Sequence, residues 1–242
     1  MASTAAVAIA GKATDPIRPV APWWHTVLVL LIVGGGSLAS YYEHGLPNVN
    51  LPGMTTRLSG YLTVIVEEWV LVLLVWLALK RRGLSFAALV GGRWNSLKDF
   101  FRDLGLGIGL IVVAVPTVTG LIYLLGAQNN KVASTITPRT VIELVFFLTL
   151  SWSAAFGEEL VFRGYLMRQF NAWTGSVAAA VILQSVAFGL AHGFYGKAML
   201  AIMVHGCLLG ILARWRRSLL PGMLAHGVQD TLGGIMAFVT GG

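Results

Sequence analysis

Apolar stretches of about 20 residues recur from Trp24 to Val239 with only short polar segments between them, and each is long enough to carry a helix across about 30 Å of hydrocarbon. A backbone in lipid must satisfy its own hydrogen bonds, so such runs fold as helices. The composition agrees: 56% of the 242 residues are hydrophobic, 11% are charged, and the mean hydropathy is +0.76, outside the range of a soluble domain. Spans fall at roughly 24–42, 58–79, 104–125, 139–162, 173–192, 197–213 and 218–239. The expected fold is an all-α polytopic bundle of about seven transmembrane helices. Residues 23–240 form one membrane domain behind a flexible cytoplasmic tail at 1–22, where Pro16, Pro19 and Pro22 and the lack of a basic start argue against a signal peptide.

The basic residues orient this bundle. With the N-terminus inside, Lys12, Arg18, Lys80, Arg81, Arg82, Arg93, Lys98, Arg102, Arg163, Arg168, Arg214, Arg216 and Arg217 share the cytoplasmic side, 13 of the 17. Arg57, Lys131, Arg139 and Lys197 remain outside, which places the C-terminus outside as well. The net charge of +7 is thereby explained by orientation. No basic stripe with interleaved aromatics calls for nucleic acid. Cys207 is the single cysteine and offers neither a disulfide nor a thiolate cluster.

Smaller features read as packing or interface. Trp94 to Asp103 places Leu97, Phe100 and Phe101 opposite Lys98, Asp99 and Arg102, the pattern of a short interfacial helix. Gly105, Gly107 and Gly109 in the third span, and Gly206 with Gly210 in the sixth, allow helices to approach closely.

Three polar clusters interrupt the last 90 or so residues, and charge at membrane depth costs about 2.5–3.5 kcal/mol per group at a helix centre. The first is Glu158-Glu159 with Arg163. On an α-helix Glu159 and Arg163 stand i and i+4 with the acid N-terminal, the better order for an ion pair. Glu158 then points about 100° away and is free for chemistry. The second is Phe188 with His192, and the third is His226 with Asp230, which share one helical face. A carboxylate can activate water, an imidazole can stabilise an oxyanion or protonate a leaving amine, and two His with one or two carboxylates can hold Zn²⁺. The residues leave the metal-bound (His192, His226, Asp230) and metal-free versions both open.

Depth supports part of this convergence. If Arg168 and Arg217 mark the cytoplasmic interface, Glu158 and His226 lie about 15 and 13.5 Å inward. A straight helix from Trp173 carries His192 about 28 Å inward, so either the 173–192 segment is broken, tilted or starts deeper, or the span boundaries lie elsewhere.

Together the clusters resemble the CAAX protease and bacteriocin-processing (CPBP, Abi) family of intramembrane endopeptidases. Its Glu-Glu-x-x-x-Arg, Phe-x-x-x-His and His-x-x-x-Asn motifs appear as Glu158-Glu159-x-x-x-Arg163, Phe188-x-x-x-His192 and His226-x-x-x-Asp230, over about residues 140–235. The departure is Asp230, where Asn is commoner. The resemblance implies peptide-bond hydrolysis with Glu158 as the base, His192 beside it, and Glu159, His226 and Asp230 completing the site. The expected partners are the bilayer and a peptide or membrane-protein substrate, reached from the cytoplasmic side.

Glu67 and Glu68 form another acid pair, in the second span, but no arginine follows four residues on, so they read as a decoy for the motif that lines a cavity at most. His205 reads as a packing residue. Two other functions compete: a non-catalytic scaffold or immunity protein that retains the motifs, and a small proton-coupled transporter using Glu67, Glu68, Glu158 and Asp230. A transporter favours inverted repeats, and none is visible.

Overall fold

A computed structural model describes residues 18–47, 49–128 and 131–241. The described residues are helical with no strand. In chain order the helices are α1 (Trp23–Glu43), α2 (Thr56–Arg81), α3 (Phe86–Val90), α4 (Leu97–Leu124), α5 (Lys131–Ile136) and α6 (Val141–Glu158). A π-helical segment (Glu159–Leu166) continues α6 into α7 (Met167–Thr174), followed by α8 (Val177–Ala191), a 3₁₀ turn (Gly193–Ala198), α9 (Met199–Arg216) and α10 (Leu220–Thr240). Each of the seven expected spans contains a long helix. Five segments are long and apolar enough to cross a membrane by length and composition: α1, α2, α4, Val141–Thr174 and Gly193–Arg216. Helix α8 is apolar but shorter, and α10 carries His226, Gln229 and Asp230 within an otherwise apolar helix.

The bundle has two distinct ends. At one, Ala21 exchanges two hydrogen bonds with the Gln169 side chain (3.0 and 2.9 Å), Arg216 pairs with buried Asp103 at 2.8 Å, and Leu219 N–H donates to the Val90 carbonyl. Arg168 caps α3 by donating to the Ala88 and Leu89 carbonyls. At the other end Thr55 donates to Glu143 at 3.0 Å and Tyr61 donates to the Ile136 carbonyl at 2.6 Å. The loops carrying Lys80–Arg102 and Arg214–Arg217 lie at the first end, as the charge pattern requires. Arg163 leaves that set, because it is fully buried.

Several boundaries differ from the sequence reading. No separate interfacial helix exists at 94–103: Ser96 caps the Asp99 N–H, nothing breaks the chain at Asp103, and these residues form the first turns of α4. Of the three glycines there, Gly107 alone approaches a neighbour closely, at Pro221 and Ala225 of α10, while Gly105 and Gly109 face open space. Residues 1–17 of the expected tail lie outside the described residues, but Val20 and Ala21 at its end are buried in the bundle. The core gathers on the π segment, where all eight residues are buried against Leu71, Val75, Leu89, Phe188 and Leu219.

Candidate active site

The motif helix holds its chemistry where its hydrogen bonding changes. Residues 141–174 form one continuous helix, and the i→i+5 bonds of the π segment begin at Glu159, the second acid of the pair. Such a widening is rare and recurs at functional sites. The expected regular α-helix through this motif is thus replaced by a wider turn, yet Glu159 and Arg163 still meet. Arg163 Nη1 lies 2.9 Å from Glu159 Oε1, with both side chains at 0% exposure.

Three neighbours hold this buried pair. Arg163 Nη2 donates to the Gly206 carbonyl at 3.4 Å, and its guanidinium lies 4.1 Å from the Phe188 ring centroid. A side chain at Gly206 would press on Phe188 and Arg163, and one at Gly222 would stand 2.9 Å from Glu159 Oε2. Gly206 therefore makes room for the ion pair, in addition to helix packing. Gln184 donates to the same Gly206 carbonyl at 3.0 Å.

Glu158 faces away from this pair into a cavity, 19% exposed. Its Oε1 lies 4.0 Å from His192 Nε2 and its Oε2 3.7 Å from His226 Nε2. These separations are too long for direct hydrogen bonds and leave space for a water between the groups. The His192 Nδ1 stands 2.9 Å from the Phe188 carbonyl, which can only accept, so Nδ1 carries the hydrogen and a neutral ring presents its Nε2 lone pair to Glu158. Phe188 thereby has two tasks: its ring covers Arg163 and packs on both histidines, and its carbonyl fixes the tautomer of His192.

His226 is nearly buried and ringed by carboxylates. Its Nδ1 lies 3.5 Å from Glu159 Oε1, and its Nε2 lies 3.5 Å from Asp230 Oδ2. Asp230 is the most exposed of the set, at 36%. The structure thus brings together Glu158, Glu159, Arg163, His192, His226 and Asp230.

A hairpin resolves the depth of His192. Gly175, at φ 66°, turns the chain, and Ser176 caps α8. Glu158 stands 17 residues before that turn and His192 17 residues after it, so two antiparallel arms of about 25 Å bring them level. Arg168 caps α3 at the basic end, and the helix runs six residues past it, to Thr174, before the turn.

A cavity of about 530 Å³ joins these residues. Glu158, His192 and His226 line it together with Phe162, Phe188, Leu46, Pro47 and Ile136. Tyr61 and Ile136 meet at the end opposite the basic loops. Three cavity residues lie outside the site set read from the sequence, which allowed Glu67 and Glu68 at most a cavity wall and took His205 for packing. Glu67 and Glu68 line its wall, and His205 of α9 stands 6.4 Å from the His226 ring. The cost of an acid pair inside an apolar span was the available signal for the first two. His205 carried none beyond its depth.

The described residues contain no group of three His, Cys, Asp or Glu placed to hold one metal ion. The donors of the zinc reading, His192, His226 and Asp230, therefore do not fit such a centre as they stand.

Residues 140–232 match the family model of the type II CAAX prenyl endopeptidase Rce1-like proteins, so the resemblance read from the three motifs holds over that segment. The chain is also similar to the uncharacterized protein YpbD of Bacillus subtilis (strain 168), 33% identical over 109 residues, which cover 44% of this chain and 50% of that protein. The chain thus matches about half the length of this curated relative. No solved structure matches it.

Proposed function

We propose that the protein is an intramembrane endopeptidase that hydrolyses a peptide bond of a membrane-associated protein or peptide without a metal. The observation that carries this reading is the facing of two acceptors: Glu158 Oε1 and His192 Nε2 stand 4.0 Å apart with His192 Nδ1 committed to the Phe188 carbonyl. Two acceptors at that distance are bridged by a donor, and a water donating to both is held for attack. Glu158 takes one proton as the water oxygen bonds to the scissile carbonyl carbon. The oxyanion accepts a hydrogen bond from His226, which is faced by a carboxylate at each ring nitrogen and is suited to donate. The C–N bond then breaks as the amine takes the proton from Glu158, and the second water proton passes from the new carboxyl group to that amine, so the products are a carboxylate and an ammonium.

Glu159 has no access to substrate. It positions His226 Nδ1 and balances Arg163. Asp230 orients His226 from the cavity side. The basic loops at one end support an orientation with that end and the N-terminus in the cytoplasm. Leu46, Pro47 and Ile136, which line the cavity, then lie toward the far side of the membrane. Tags before Met1 and after Gly242 test this: an impermeant reagent on intact cells should label the C-terminal tag only, and the opposite pattern would reverse the assignment.

The activity itself is tested with the full chain in lipid vesicles and a library of membrane-anchored peptides in H₂¹⁸O. Cleavage should give paired fragments, the new carboxyl group carrying ¹⁸O. Absence of any cleaved peptide, with or without added Zn²⁺, would favour the scaffold reading. Activity that disappears on chelation and returns with Zn²⁺ would replace the metal-free mechanism.

A further inference from the structure

Four carboxylates line the cavity, those of Glu67, Glu68, Glu158 and Asp230, and no lysine or arginine does. Glu158 and Asp230 both face His226. Glu67 and Glu68 lie on α2, outside the motif segment, and the mechanism above does not use them.

Their surroundings are built for carboxylates without supplying a cation. Glu68 is 7% exposed, and among the described residues no lysine or arginine pairs with its carboxylate, which has only the Ser153 hydroxyl beside it. It packs beside the reacting end of the site, since a Cβ on Gly157 would touch the Glu68 Cβ at 3.5 Å. Glu67 opens onto the same cavity, and any side chain at Gly36 of α1 would collide with its carboxylate, so the glycine keeps that space clear. A buried carboxylate with no cation to balance it is costly and calls for one. No three acidic or imidazole groups among the described residues gather round one point, so the acids are spread along a wall, an arrangement suited to an organic cation.

We propose that the Glu67–Glu68 wall receives an ammonium or guanidinium group of the substrate, so that the site takes peptides with a Lys, an Arg or a free amino terminus close to the scissile bond. This rests on the peptidase reading above. The apolar remainder of the cavity, including Val33, Val64 and Leu71, covers the stem of such a side chain, and the carboxylates take its charged tip. Hydrogen bonds to charged groups in such surroundings give at least about ten-fold discrimination against an uncharged isostere.

The test uses the full chain in vesicles with a panel of membrane-anchored peptides, followed for both binding and cleavage, each made with Lys or its uncharged isostere norleucine near the peptide bond offered, and with a free or acetylated amino terminus. KM, kcat and equilibrium binding of fluorescent versions are measured for the wild type, Glu67→Gln, Glu68→Gln and the double variant. The expected result is a preference of at least about ten-fold for the charged peptide, seated in KM and binding, which falls toward one in the double variant. Whether Lys or the free terminus carries it identifies the source of the cation. Equal handling of charged and uncharged peptides by the wild type would overturn the proposal, as would a preference that survives both substitutions or a loss of kcat shared by all peptides. Charge-dependent binding without cleavage would uphold the wall and discard the peptidase reading. Cleavage without charge dependence would do the reverse.

Discussion

The two acid pairs of this protein, Glu158-Glu159 and Glu67-Glu68, have the same local sequence and opposite surroundings. In each pair one member is deeply buried, Glu159 and Glu68, while Glu158, Glu67 and Glu68 reach the cavity. In the first pair the buried member has Arg163 at 2.9 Å and is locked by Phe188, Gly206 and Gly222. In the second, among the described residues, the buried member has the Ser153 hydroxyl beside it but no lysine or arginine to balance it. The first pair is a supported structure that leaves one acid free to react, and the second leaves a site whose partner must come from elsewhere. An arginine four residues on is what separates them in the sequence, and a complete set of neighbours is what separates them in space.

Substitutions can break that contrast. The largest expected effect falls on chemistry: His192→Ala and His226→Ala should each lower cleavage by at least about 10²-fold while the protein still melts cooperatively. Retention of most of the activity by either variant would remove that histidine from the mechanism. Next comes stability, where the two pairs should differ in sign. Glu159→Ala or Arg163→Ala strands a fully buried charge and should cost about 3–5 kcal/mol, seen as lower yield and an earlier thermal transition. Glu68→Gln replaces a buried carboxyl group that balances no cation by a neutral amide of the same shape and should leave the transition unchanged or raise it. Equal destabilisation by Glu159→Ala and Glu68→Gln would erase the contrast. The smallest effect belongs to Asp230→Asn, since an amide still reaches His226 and donates as well. Cleavage by that variant should stay near or above wild type and be indifferent to chelators, and a large loss accompanied by new chelator sensitivity would point to a metal.

Much of this was legible before any coordinates. Seven apolar runs gave seven helices because lipid leaves a backbone few alternatives, and the three motifs named the six residues that converge. What escaped depended on tertiary partners. The π segment keeps the Glu159–Arg163 contact while changing the turn around it, and nothing in the local residues distinguishes it from α-helix. The partners of Arg168, the carbonyls ending α3, lie about 80 residues away in sequence. The span boundaries broke the chain between 162 and 173, which displaced the turn from Gly175 and left His192, counted from Trp173, at the wrong depth. Glu68 was read as a decoy for lacking an arginine on its own helix, and among the described residues no lysine or arginine of another helix pairs with it either.

The central claim is that Glu158 activates the water it shares with His192, and replacing the acid by its amide tests it most directly. In vesicles, Glu158→Gln should keep the parent's helical content and thermal transition and retain its peptide binding, while its cleavage rate falls by at least about 10²-fold. A variant that cleaves at close to the wild-type rate would show that the base lies elsewhere and would contradict the account.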